Sequence, residues 1–288
     1  MNRTKAVVLG KLVLALTAAV TGCGRGDSDA ESTKLTIKGS DTMVNLVNRW
    51  TEAYMDAHEE ADLSVTGGGT GTGISAMLNG TTDLAMASRE VKQKEIDAAR
   101  EKGNEFKEIV VGLDGIALIV HPENPISELD LDQIRQIYNG TLTNWSEVGG
   151  PDQKITVLSR DNSSGTFVFF QEMVLKKEDY SNEALMMTAT STIVQSIAAD
   201  KWNIGYIGLG YADKAQGKVK VLAIRTEPGS AAVTPSVATV QDKTYPIARP
   251  LYLYSFGEPM GIAKAFVDFA LSADGQKIVE ETGYVPLR

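Results

Sequence analysis

Three short stretches carry residue types suited to handling an anion. "GSDTM" places Ser40, Asp41 and Thr42 after Gly39, and "GGGTGTG" sets Thr70 and Thr72 among Gly67, Gly68, Gly69, Gly71 and Gly73. "LSRDNSSGTF" adds Arg160 ahead of Ser163, Ser164, Gly165 and Thr166. In each, an apolar run gives way to helical spacing, so each reads as a helix start. A helix start presents unpaired backbone N–H groups and the positive end of the helix dipole. Glycine lets an oxyanion approach the backbone, and Ser/Thr hydroxyls add donors without formal charge. Arg160 supplies a guanidinium suited to a bidentate contact. One such start is ordinary capping, because Ser, Thr and Asp are preferred N-caps. Three in one chain point to a shared oxyanion.

Catalysis needs more than serines beside an arginine. His58 lies at a charged helix end and His121 precedes Pro122, and neither has a partner at a recognisable spacing. No G-x-S-x-G elbow occurs, and no His/Cys/carboxylate set has zinc spacing. "LDLDQI" lacks the glycine and distant glutamate of a calcium loop. Ile74 and Ser75 follow Gly73, which excludes a P-loop, and the glycine string lacks the G-x-G-x-x-G register. The expectation is a binding protein with no catalytic residues, cofactor or metal. A phosphohydrolase and a ligand-free scaffold are the alternatives from other classes.

Elements that would position these stretches follow from periodicity. "KLTIKGS", "DLSVT", "TDLAMAS", "KITVLSR" and "WNIGYIGLGY" read as strands, most of them followed by helical segments. Met43, Val47, Trp50 and Tyr54 fall on one helix face. "TFVFFQEMVLKK" reads as a helix with Phe167, Phe170 and Val174 inward. "FKEIVVGLDGIALIVHPENP" and "YPIARPLYLYSFG" are long apolar runs, read as the chain crossing between two lobes. Strands alternating with helices give an α/β class with mainly parallel sheets. In such sheets, strand-to-helix turns gather at the carboxyl ends of the strands, where ligands bind.

The chain has 288 residues and a net charge of −9, without the basic footprint of a nucleic-acid binder. Arg3, Lys5 and Lys11 precede the nine-residue apolar run Leu12–Val20, which is too short to span a bilayer. "VTGC" then ends in Cys23, the single cysteine, and resembles a bacterial lipobox. The expectation is a signal peptide over 1–22, lipidation of Cys23 and a tether over 23–34, with a small-residue cleavage site as the alternative. Removing residues 1–22 takes the charge from −9 to −12, so an anion would be captured locally against the overall field.

"GSDTM", "GGGTGTG", "ASR", "DGIALIVHPENP", "NWSEVGG", "RDNSSGTF", "IGYIGLGY" and "GQKIVEETGYVPL" together resemble the PstS-type substrate-binding proteins of phosphate ABC transporters, over about residues 35–288. The resemblance implies a two-lobed periplasmic-binding-protein fold of type II, each lobe a mainly parallel sheet flanked by helices. Lobe 1 is expected at 35–112 and 245–288 and lobe 2 at 113–244. It implies a monomer that binds phosphate in the cleft, partners a membrane permease and sits outside the cell membrane on a lipid anchor. Sulfate, molybdate or tungstate are rival ligands. Carried over by motif, the ligand contacts are Thr42, the Met43 amide, Thr70, Arg160, Ser164, the Gly165 amide and Thr166. Ser88 is expected among the ligand contacts too, standing where many members have an aspartate that accepts the proton of hydrogen phosphate. Asn162 stands where they have an aspartate beside the arginine, and Asp161 adjoins it. Asp41 is a candidate for the missing proton acceptor or a simple cap. Arg89 is a second charged ligand or an ion-pair partner of Glu90 or Glu95. Ser40 and Ser163 are further possible contacts.

Overall fold

The computed structural model describes residues 33–287; the signal-peptide and Cys23 readings lie outside the described residues. Alternating apolar residues form β1 (Lys34–Gly39), which leads through a 3-10 turn at Asp41–Met43 into α1 (Val44–Ala57). Two further strand–helix units follow: β2 (Asp62–Thr66) with α2 (Thr70–Leu78), and β3 (Leu84–Ala87) with α3 (Gln93–Glu101). β1 pairs in parallel with both β2 and β3. This half packs around Trp50, Met43, Val47 and Tyr54, all buried, as the helical spacing predicts.

The first long apolar run is a single strand, β4 (Phe106–Val120). Beyond it lie β5 (Glu128–Asp130), α4 (Leu131–Asn139), β6 (Thr156–Arg160), α5 (Gly165–Met173) and β7 (Leu185–Met187). Then come α6 (Thr190–Ala199), β8 (Asn203–Gly208), α7 (Leu209–Lys214), β9 (Lys220–Val221), β10 (Ala223–Arg225) and α8 (Val237–Gln241). "LDLDQI" forms a capping box at the start of α4, where Gln133 N–H donates to Asp130 at 2.8 Å. α5 is shorter than its apolar spacing suggests. It stops at Met173, and Lys176 and Lys177 take left-handed φ values of 52° and 72°. A second core gathers Trp145, Tyr138, Phe170 and Tyr206.

The second long run is β11 (Ala248–Phe256), followed by α9 (Gly261–Leu271) and α10 (Ala273–Glu281). The strand order β2-β1-β3-β11-β4-β8-β6-β7 makes one continuous path, with β9 on β4. β11 and β4 run antiparallel between two parallel sets. β4 pairs with β11 over residues 106–115 and then with β8 over 116–120, which joins the halves. A bulge in this pair skips Val111, and Gln276 Nε2 donates to the Val111 carbonyl at 3.0 Å. Parallel strands on either side of β4 and β11 present their carboxyl ends near the middle. The three motif-bearing helix starts meet there.

Candidate anion-binding site

Six hydroxyls converge with almost no exposure: Ser40, Thr42, Thr70, Ser88, Ser164 and Thr166 are each at most 2% exposed. Ser40 follows β1, Ser88 follows β3, Thr42 and Thr70 open the first two helical segments, and Ser164 and Thr166 open α5. Ser40 Oγ donates to Ser88 Oγ at 2.9 Å, and the Ser88 N–H donates to Thr70 Oγ1 at 3.1 Å. The Thr42 and Thr166 hydroxyl oxygens lie 2.9 Å apart, although they belong to opposite halves of the sheet. A Cβ on Gly165 would lie 2.3 Å from Thr70 Oγ1 and 2.6 Å from Ser88 Oγ, so only glycine admits this approach. Ser164 Oγ accepts from the Thr166 and Phe167 N–H groups and caps α5.

The other two loops meet edge to edge. Gly71 N–H donates to the Ser163 carbonyl at 3.0 Å, and Ser163 Oγ donates to the Gly68 carbonyl at 3.0 Å. A Cβ on Gly69, whose φ is +106°, would also meet the Ser163 carbonyl, at 2.6 Å. Ser163 therefore sutures the halves at the rim rather than facing the hydroxyls. The Met43 N–H turns back to the Ser40 carbonyl at 3.0 Å and closes the 3-10 turn.

Arg160 lies at the end of β6, 1% exposed. Its Nε donates to the Met187 carbonyl and Nη2 to the Thr188 carbonyl, at 3.2 and 2.9 Å. Nη1 donates to Thr190 Oγ1 at 2.8 Å and to Asp41 Oδ2 at 3.2 Å. Asp41 Oδ2 also accepts the Thr190 N–H at 2.8 Å, so this carboxylate caps α6 from across the molecule. Asn162 is exposed, and the Asp161 carboxylate accepts the Ser163 N–H at 2.9 Å. The carboxylate beside the arginine thus comes from the first half of the chain. Tyr211 donates to the Asp41 carbonyl at 3.2 Å, and burial together with the Asp41 charge pushes its pKa up to about 12.

Arg89 forks onto Glu95 at 2.9 and 2.8 Å and also donates to the Glu90 carbonyl. Burial alone would raise the Glu95 carboxyl, but the Arg89 fork and the Lys92 N–H outweigh it and hold its pKa below the usual value. His58 stacks on Tyr54, and His121 Nδ1 accepts the Glu123 N–H, so both histidines make local contacts. Among the described residues, no group of three or more His, Cys, Asp or Glu side chains is placed to hold a metal ion.

Sequence reasoning did not single out Arg249 and Asp114. They face each other in register across β11 and β4, 3% and 0% exposed, with Nη2 3.0 Å from Asp114 Oδ2. Arg249 Nη2 donates to Thr166 Oγ1 at 2.9 Å and Nη1 to the Ser88 carbonyl at 2.8 Å. Burial pushes the Asp114 carboxyl up and the Arg249 guanidinium down, and each partner's charge opposes the shift of the other. The available signal was Asp114 as the one charge within the apolar stretch 109–120 and Arg249 as the one charge of the second run, since a buried charge demands a partner. On the outer side of Arg249 lies a cavity of about 410 Å³, also lined by Arg89, Lys92, Phe169 and Tyr252.

Residues 26–274 match the family described as the PBP superfamily domain. The chain is 33% identical to the phosphate-binding protein PstS of Staphylococcus haemolyticus, over 96% of this chain and 91% of that one. It is 32% identical to PstS of Staphylococcus aureus, over 96% and 86%. A phosphate ABC transporter substrate-binding protein from Clostridium perfringens, solved with bound phosphate, superposes with a TM-score of 0.80 at 30% identity, covering 88% of this chain and all of that one. An ABC-type phosphate transport receptor from Vibrio cholerae gives 0.69 at 28% identity, over 88% and 99%. Matched over nearly its whole length in sequence and in the two-lobed fold, the chain belongs to the PBP superfamily, among the PstS-type phosphate-binding proteins.

Proposed function

We propose that this chain binds inorganic phosphate outside the cytoplasm and delivers it to the membrane permease of an ABC importer. The observation that carries this reading is the meeting of six buried hydroxyls and Gly165 at helix starts from both halves of the sheet, with Arg249 of β11 on the Thr166 hydroxyl and Arg160 of β6 tied by Asp41 to the turn that carries Thr42. Such a set offers many N–H and O–H donors and little net charge, which suits a small oxyanion with acceptors on every side. The proposed contacts are Thr42, Thr70, Ser88, Arg160, Ser164, Gly165 and Thr166. Thr42 and Thr70 come from the first half and Arg160, Ser164, Gly165 and Thr166 from the second. Ligand binding would therefore favour the closed arrangement of the lobes. Catalysis has no support in these groups: Ser164 Oγ is occupied as a cap, and among the described residues both histidines are engaged in local contacts elsewhere. Cys23 and the residues before it support a lipid anchor on the outer face of the cell membrane.

Titration calorimetry with phosphate, sulfate and molybdate tests the reading. Saturable one-to-one binding of phosphate, tighter than either rival, is expected. Preference for sulfate or molybdate would transfer the assignment to that oxyanion, and turnover of a phosphomonoester would replace binding with hydrolysis.

A further inference from the structure

We propose that Arg249 is a positioning residue of the anion site, held by Asp114 and acting through the Thr166 hydroxyl. The inference rests on the anion-binding reading and assigns a device to it. Arg249 and Asp114 sit at one register position of the two strands that join the halves. From there Arg249 reaches both: its Nη1 donates to the Ser88 carbonyl after β3, and its Nη2 donates to Thr166 Oγ1 at the start of α5.

A guanidinium has five donors and no acceptor. Wherever it meets a hydroxyl, that hydroxyl oxygen must accept. Thr166 Oγ1 accepts from Arg249 at 2.9 Å, so the Thr166 hydrogen is turned away from β11, to Thr42 Oγ1 or to an anion among the hydroxyls. The same polarity recurs around the site. Thr70 Oγ1 accepts the Ser88 N–H, Ser164 Oγ accepts two backbone N–H groups, and Ser88 Oγ accepts from Ser40. Thr166, Thr70, Ser164 and Ser88 each spend an acceptor on the protein and keep a hydrogen to donate, while Ser40 gives its own to Ser88. Arg249 does this with a charge, for the hydroxyl that spans the two halves. Asp114 keeps the guanidinium in place, accepting from Nε and Nη2 on Oδ2 and from the Leu209 N–H on Oδ1.

A purely supporting role is separable by experiment. Removing Arg249 alone strands a buried carboxylate, so both charges are removed together: Arg249→Met with Asp114→Asn, which retains an acceptor for the Leu209 N–H. A buried ion pair replaced as a pair is often neutral for stability. The pair variant is expected to melt cooperatively and to bind phosphate roughly ten- to a hundredfold more weakly, the worth of a charge-assisted hydrogen bond. Thr166→Val is the other arm. Added to the pair variant it is expected to cost less than a further factor of about two, because the two act through one hydroxyl. Wild-type affinity in the pair variant, or losses that simply multiply, would overturn the assignment. If the pair variant does not fold, Arg249→Lys decides. It keeps a cation for Asp114 but has no fork to reach Ser88 and Thr166 together. A loss of roughly tenfold with an unchanged melting temperature supports the proposal, and wild-type affinity refutes it. Failure of the unmodified protein to bind phosphate is a different result: it removes the functional reading, and this one with it.

Discussion

Asp41 shows how one residue can hold a site in two halves together. Its Oδ2 meets both the Arg160 guanidinium and the first N–H of α6, and both lie in the other half of the sheet. A carboxylate so engaged orients the arginine, whereas Asn162 is exposed. The two roles open to Asp41 predict different selectivity. As the acceptor of the proton on hydrogen phosphate, it would repel sulfate, so Asp41→Asn would weaken phosphate and strengthen sulfate binding. As the orienter of Arg160, the same change weakens both anions by the same factor. The expected outcome is the parallel loss, roughly tenfold for one charge-assisted bond, read by calorimetry with each anion. The residue types at the three helix starts were legible because glycine and hydroxyls at a helix start have few other reasons to recur. The direction of Asp41 was not, since nothing in "GSDTM" says which neighbour its carboxylate faces.

Among the elements, β6 and β8 set where Arg160 begins. They pair in parallel, and Tyr206 on β8 places its hydroxyl 2.7 Å from Ser159 Oγ and 3.2 Å from the Arg160 N–H. Tyr180 reaches the same oxygen at 3.2 Å, and the Tyr206 ring stacks on Phe170 of α5 at 4.2 Å. One side chain therefore fixes the end of the arginine strand against the helix that carries Ser164 and Thr166. Tyr206→Phe keeps the stack and leaves the Arg160 N–H and the Ser159 hydroxyl with one partner fewer in a buried place. A destabilisation of about 1–3 kcal/mol is expected from denaturant unfolding. A fall in phosphate affinity should accompany it, because the guanidinium loses its fixed base. An unchanged affinity would mean that Met187, Thr188, Thr190 and Asp41 position Arg160 without β8. Strands and amphipathic helices could be read from periodicity, and Met43, Val47, Trp50 and Tyr54 are buried as spaced. Periodicity carries no information on cross-strand partners of the long runs. That is why Asp114 and Arg249 surfaced only once β4 and β11 were in register. It also overran α5, where the continuing apolar residues Val174 and Leu175 are buried in a turn instead of a helix.

At the scale of the whole molecule, the charge opposes the ligand. The chain carries −9, or −12 without residues 1–22, while phosphate near neutral pH is a mixture of monoanion and dianion. The charges in the site are compensated, Arg160 by Asp41 and Arg249 by Asp114, so the site itself adds little attraction at a distance. Affinity is therefore expected to reside in short-range donors, with association slowed by the long-range field. Screening separates the two. The Debye length falls from about 30 Å at 0.01 M salt to about 8 Å at 0.15 M, which removes the far field but not contacts within a closed site. Stopped-flow binding in sodium chloride should show an association rate that rises severalfold over that range and a dissociation rate that barely changes. The opposite sign, association slowing with salt, would mean that the cations lining the outer cavity outweigh the overall charge. Arg89 is neutralised there by Glu95, and Arg249 by Asp114, which leaves Lys92 as the cavity cation without an ion pair among the described residues. Lys92→Gln would then abolish the salt dependence, whereas under the expected mechanism it leaves the rise with salt in place.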